Sequence, residues 1–287
     1  MTYFEMKKLN NSPLSFYTIL FLSSLVFVFQ SCSKDSLEEA IDSELVDTKS
    51  NPDMSEEEEA ISDESVEDDN PNEIEQEELP CSVENQMISE KDGLVVFEFE
   101  NEAFTSPWSL EDISAMTSGE GYMFWEGDQY LGSPGNGMVT YNLKIDKPGT
   151  YQFIWHSAVV MGNSGTDHND TWLRFPDAAD FYGKKGTSIV YPKGSGKSPN
   201  PEGAGAEGWF KVYRSGNNLD FKWQASTYDN NAHDIFVEFG AAGIYKMEIS
   251  ARSSGHAIDK AMLFETSINK NTAIENSAIN STIDCFD

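Results

Sequence analysis

The sequence predicts an all-β fold, a β-sandwich of jelly-roll type, preceded by a disordered acidic tether. Three observations predict it. From about residue 90 the chain runs in short β-type segments bounded by Gly, Pro, Asn and Asp. No stretch carries a convincing 3.6-residue apolar period. The charge of the 287-residue chain, net −30, is uneven: residues 33–80 hold 20 acids against two lysines and no aromatic side chain.

That excess of acid excludes a general nucleic-acid binder, which must neutralise phosphates with clustered Lys and Arg. It also argues against attachment to an anionic membrane by surface charge. The first residues read as an address. Lys7 and Lys8 precede an apolar run of 16 residues, Leu14 to Phe29, which is short for a membrane span of about 20. Gln30, Ser31 and Cys32 follow. A Cys directly after a small residue resembles a bacterial lipobox, with Phe29 where Leu is commonest. The resemblance implies a signal peptide over 1–31, a diacylglycerol on the Cys32 thiol, and contact with the membrane through that lipid only. Ser33, Lys34 and Asp35 resemble the export signal of surface-displayed Bacteroidetes lipoproteins. The localisation implied is an outer-membrane lipoprotein at the cell surface. The alternative is a simple signal peptide or an anchor with an incidental Cys.

Residues 32–85 are expected to be a disordered linker. Such a chain buries too little apolar surface to offset its ordering entropy, and like charges extend it. Its expected role is reach.

Residues 86–287 are the expected folded domain. The pattern predicts strands near 94–100, 138–145, 151–156, 171–175, 209–214, 219–224, 235–239, 245–251 and 258–264. Short strands separated by turn signals indicate a sandwich or jelly roll. Gly149-Thr-Tyr151 and Gly243-Ile-Tyr245 each set a turn Gly before alternating large residues, which are expected in the core. Cys81 and Cys285 flank the domain. In an oxidising setting a bridge between them would contribute roughly 4–5 kcal/mol by chain entropy; the alternative is two unpaired thiols.

These residues suggest a family. Val96-Phe-Glu98-Phe-Glu100 resembles the I-E-A-E opening of calcium-dependent jelly-roll carbohydrate-binding modules of the family 6 and family 35 kind. The stretch Met138–Ile145 with Pro148-Gly149-Thr-Tyr151 resembles their central hairpin, and Ser254 to Leu263 their final strand. The likeness covers about residues 93–266 and implies a galactose-binding-domain-like fold. It also implies structural calcium held by Glu98, Glu100 and Asp259. Strand alternation independently puts Glu98 and Glu100 on one face, where two carboxylates repel unless a cation separates them. The alternative is two solvated edge carboxylates.

A sugar site needs an aromatic face and polar groups for the hydroxyls. His168, Asp170, Trp172 and Arg174 would share one strand face as a ligand platform, with Leu173 and Phe175 in the core. The alternative is an aromatic covering a second small core. Trp125, in Gly-Tyr122-Met-Phe-Trp125-Glu-Gly127, is expected on an exposed loop. Tyr182 would rim the site. His256 stands near the place where the family carries a polar residue before its last strand, though Asn is commoner there. Trp209 and Trp223 read as core.

Gly194-Ser-Gly-Lys-Ser198 is not a phosphate-binding loop, because Tyr191 stands where a Gly is required and Pro199 and Pro201 forbid the following helix. The four His show no zinc spacing. Asp229 to Asp234 reads as a polar turn rather than a cation loop. The expected function is non-catalytic binding of a polysaccharide or oligosaccharide, as in polysaccharide utilisation. One alternative is a small β-sandwich glycoside hydrolase or lyase, which would need a deep cleft with paired carboxylates or a His/Tyr/Arg cluster. Another is an adhesion or protein-interaction lipoprotein without a sugar site, in which Trp125 and Trp172 would be buried.

Overall fold

The structure, a computed structural model, describes residues 81–112, 115–164, 166–216 and 218–286. The predicted signal peptide, Cys32 and the tether as far as Pro80 lie outside the described residues.

The strands in chain order are β1 Gln86–Ser89, β2 Leu94–Glu98, β3 Trp108–Asp112, β4 Gly121–Trp125, β5 Val139–Ile145, β6 Gly149–Val159, β7 Asp170–Arg174 and β8 Asp180–Lys185. They continue with β9 Ser188–Val190, β10 Phe210–Tyr213, β11 Lys222–Trp223, β12 Ser226–Thr227, β13 His233–Phe239, β14 Gly243–Ser250, β15 His256–Glu265 and β16 Ile283–Cys285. One short helix, α1 Lys270–Glu275, lies between the last two. The ladder runs β16-β1-β5-β14-β7-β10-β12-β13-β6-β15-β4-β3, with β2 on β15, β8 on β13, β9 on β8 and β11 on β6. It curls so that its two halves enclose one core, and the fold is the all-β sandwich that the sequence predicts. Tyr141, Leu173, Phe210 and Met247 come from one half; Phe97, Phe153, Trp155 and Leu263 come from the other.

Alternation explains most of this. β5 and β13 bury every second residue, as strands with one wet face do. β15 differs, with nine consecutive residues buried. Ile258, Ala261 and Leu263 enter the main core. Met262 and Phe264 join Val96, Ile154 and Ala273 in a second cluster beneath α1. Asn269 caps that helix by accepting from the Asn271 N–H at 2.9 Å. A helix of six residues is too short to show a period in the sequence.

The predicted strand at 219–224 shrinks to Lys222–Trp223, whereas 121–125, expected as a loop, is a strand between β3 and β15. Cys81 and Cys285 are joined, with Cα atoms 5.8 Å apart across a separation of 204 residues. Cys81–Asn85, assigned by sequence to the linker, therefore belongs to the folded body. Cys285→Ala is expected to lower the melting temperature by roughly 10 °C, read by calorimetry.

Candidate binding site

The acidic residues come together at the junction of β2 and β15. β2 ends at Glu98, and residues Phe99–Asn101 form a 3-10 turn that keeps Phe99 in the core but takes Glu100 off the strand face. Glu98 is buried and lies 2.8 Å from the Lys260 ammonium. It also accepts from Ser118 Oγ and Asn280 Nδ2, each at 3.0 Å. Asp259 accepts the Ser118 N–H at 3.0 Å and the His156 Nδ1–H at 2.7 Å. The Glu120 N–H donates to Glu100 Oε1 at 2.8 Å. Gly119 between them has φ 64°, and a Cβ there would stand 2.0 Å from Glu100 Oε1, so the turn requires glycine. Glu100 Oε2 is buried without a partner. Desolvation, then the charges of Glu98 and Asp259, push the Glu100 carboxyl up to about 7.

Hard carboxylate oxygens are the donors calcium prefers, and Glu100 Oε2 is the oxygen with no other use. Glu98 and Asp259 are already partnered. Among the described residues no group of three or more Asp, Glu, His or Cys side chains is arranged to hold a metal ion.

The predicted platform alternates as expected, but its outer face is covered. Trp172 is 3% exposed; its Nε1–H donates to the Tyr130 carbonyl at 2.9 Å, and Arg252 lies 5.0 Å from its ring centre. Asp170 is buried against Arg252, with Lys211 Nζ 3.8 Å away. Arg174 pairs with Glu248 at 2.5 Å and lies 4.5 Å over Trp209. Trp125 is 4% exposed, meets Trp108 edge-on at 5.3 Å, and approaches Gly137 so closely that a Cβ there would lie 2.5 Å from its ring. A buried ring offers no face to a sugar, so Trp125 and Trp172 are core residues and not the expected platform.

The remaining expected residues are dispersed. His168 precedes β7 at φ 56° and donates from Nδ1 to the Ser254 carbonyl at 2.6 Å. His256 is buried, with Nδ1 2.9 Å from Thr171 Oγ1. Burial, then the Arg214 charge, lowers its pKa to about 3. It is a neutral core histidine and does not reach a surface ligand. Tyr182 lies on β8, half-buried and stacked on Phe236 at 5.6 Å. Arg174 lines a depression of about 280 Å³ with Asp180 and Lys197, which pair at 2.7 Å. Lys197 belongs to the rejected Gly194–Ser198 motif, which forms part of that rim.

The best-furnished concavity opens at the other end of β7. It measures about 490 Å³ and is lined by Asn169, Glu202, Lys211, Tyr213, Ser215 and Asp229 among others. Lys211 Nζ lies 2.6 Å from both oxygens of Asp229 and 5.5 Å from the Tyr213 ring centre. Three non-glycine residues beside it hold left-handed backbone: His168, Tyr228 (φ 68°) and Asn230 (φ 61°). Backbone strain of this kind persists where the surroundings over-determine it, and it gathers at functional sites. Carboxylate, ammonium, amide and hydroxyl groups around one aromatic wall suit a hydroxyl-rich ligand. His168 and Asp170 border this place. Lys211, Asp229 and Glu202 are the residues that sequence reasoning missed; the polar turn after Tyr228 was the signal for Asp229 alone.

Trp172→Ala is expected to destabilise the fold by roughly 3–5 kcal/mol in urea unfolding rather than to remove ligand binding from an intact domain. His256 stays neutral in the folded state while the unfolded chain protonates below about pH 6.5. Stability therefore falls as pH drops from 6.5 toward 3, by about 1.4 kcal/mol per pH unit from this residue. His256→Gln should flatten that acid limb in pH-dependent denaturation.

No protein-family model matches the chain. No curated protein matches it either. Among solved structures, a GH26-CBM35 beta-(1,4)-mannanase of Podospora anserina is similar over 61% of this chain, at 14% identity and a TM-score of 0.36. The match spans 28% of that enzyme's chain.

Proposed function

We propose that residues 81–286 are a non-catalytic carbohydrate-binding β-sandwich, exported and anchored through Cys32 at the outer cell surface. The observation that carries the reading is the Lys211–Asp229 depression, a preformed polar concavity with an aromatic wall. Non-catalytic action is supported by the state of the ionisable groups. Glu98 is buried and ion-paired with Lys260, Asp259 is buried and hydrogen-bonded to His156, and His256 is buried and neutral. The ligand class is a polysaccharide or oligosaccharide, bound by stacking and a few hydrogen bonds. Calcium beside Glu100 would clamp β2 to β15, with Asp259 exchanging His156 for the ion. The burial of Trp125 and Trp172 favours a second reading, an adhesion protein without a sugar site.

Affinity electrophoresis of the protein in a panel of soluble polysaccharides, with calcium and with chelator, separates these readings. Wild type is expected to be retarded by at least one polymer. Asp229→Ala and Lys211→Met are each expected to weaken retention about tenfold with the melting temperature unchanged, the size of a lost charge-assisted hydrogen bond. Retention by none of the polymers would leave the adhesion reading. A melting temperature indifferent to calcium would mean that the Lys260–Glu98 pair alone supplies the clamp.

A further inference from the structure

One end of the main core, where β6, β10, β11 and β15 approach each other, is polar. Arg214 is fully buried there, and its partners are neutral. It donates from Nη1 to the Asn218 carbonyl and from Nη2 to the Asp220 carbonyl at 2.9 Å. Among the described residues no carboxylate forms an ion pair with it. Lys260, another buried cation, has Glu98 at 2.8 Å. A buried charge without such a counter-ion is costly. We infer that Arg214 heads a binding site for a small halide-type anion, chloride being the example, enclosed with Trp155, Ser157, His256 and Lys222. This site goes beyond the carbohydrate reading and does not depend on it.

Strand register gathers the five residues. Trp155 and Ser157 follow Phe153 on the core-facing side of β6. In the β6–β15 ladder Ile258 stands opposite Ser157 and His256 opposite Val159, so His256 and Ser157 are diagonal neighbours. The Trp155 and His256 ring centres are 5.0 Å apart. Lys222 pairs with Ser157 across β11 and β6, which turns its side chain to the same side. From the facing half, Thr171 of β7 brings its hydroxyl to 2.9 Å from His256 Nδ1. Arg214 follows the core residue Val212 by two positions beyond β7's partner strand β10. Burial, then the Arg214 charge, lowers the pKa of both Lys222 and His256, so the three basic groups are near neighbours.

Four buried atoms in this cluster have no hydrogen-bond partner among the described residues: Arg214 Nε, Trp155 Nε1, Ser157 Oγ and His256 Nε2. The guanidinium and indole nitrogens can only donate. The serine hydroxyl donates freely. When Thr171 donates to His256 Nδ1, the proton of the neutral ring sits on Nε2 and is available as well. The result is four donors beside two cations, with Asp220 the acid whose charge reaches Arg214. A water molecule would accept from two donors and leave the charge unbalanced. An anion accepts from several and balances it. A halide suits the place because it is small and imposes no lone-pair directions. Arg214, Trp155, Ser157 and His256 are at most 1% exposed, so a bulky organic anion has no way in. Lys222, half-buried, stands at the margin.

The test follows thermal unfolding by calorimetry in sodium chloride, sodium bromide and sodium gluconate at equal ionic strength. At about a hundred times the dissociation constant, chloride and bromide should each raise the melting temperature by roughly 5 °C over gluconate, along a saturable curve. Ser157→Ala removes one donor and should shift the midpoint of that curve about tenfold to higher chloride. Arg214→Met should abolish the shift; should that variant fail to fold, Ser157→Ala alone decides. Crystals soaked in bromide should show anomalous scattering between Arg214 and His256. Equal melting temperatures in chloride and gluconate would overturn the site. So would a halide shift that Ser157→Ala leaves in place, or bromide found only at the outer surface with unlabelled water beside Arg214.

Discussion

Burying β15 on both faces is the constraint from which the rest of the structure follows. An edge or one-sided strand can leave alternate residues in water, but a strand with nine consecutive buried residues cannot. Its inner side is met by the main core. Its outer side must be roofed, and the chain does this with its own C-terminal segment. α1 and Ile268 cover Met262 and Phe264, while Ser281 and Asn280 reach β2 and Glu98. The Cys81–Cys285 bridge ties the end of that segment to the beginning of the fold.

The same burial explains the ion pairs. Lys260 points to the roofed side, where an isolated ammonium would be costly. Glu98 from the neighbouring strand and the Ser277 carbonyl satisfy it, at 2.8 and 3.0 Å. Asp259, displaced by the bulge between Ile258 and Lys260, turns to His156 and the Ser118 turn. Glu100 is left with one oxygen unmet, and its burial, then the charges of Glu98 and Asp259, makes its carboxyl hold a proton more tightly than usual. The ring that Asp259 holds, His156, packs in turn against Phe221 and Trp223.

The two ends of β7 carry different chemistry for a related reason. At the Arg174 end the cations are already matched, Arg174 to Glu248 and Lys197 to Asp180. At the Asp170 end Lys211 faces a wider concavity and shares itself between Asp229 and Asp170. Arg252 takes the other flank of Asp170 and covers Trp172, so a pair of charged side chains that resembles a binding platform in sequence serves as packing.

The amino-acid sequence by itself determined the strand class, the rough position of most strands and the inward set of each. Those are local properties of turn residues and period-two alternation. Alternation did not extend to the acidic junction: Glu98, Glu100 and Asp259 were grouped by a family resemblance, and the 3-10 turn at Phe99–Asn101 takes Glu100 off the strand face. It could equally place Asp170, Trp172 and Arg174 on one side of a strand. What lay above that side was decided only in three dimensions, by Tyr130 and Arg252 arriving from distant segments. Strand β4 escaped notice because four apolar residues in succession show no alternation, and its partners β3 and β15 are remote in sequence. The Lys211–Asp229 depression left one trace in the sequence, the polar turn after Tyr228. It gathers side chains from the approach to β7, from β10 and from that turn, and proximity of that kind is a consequence of how the sheet curls.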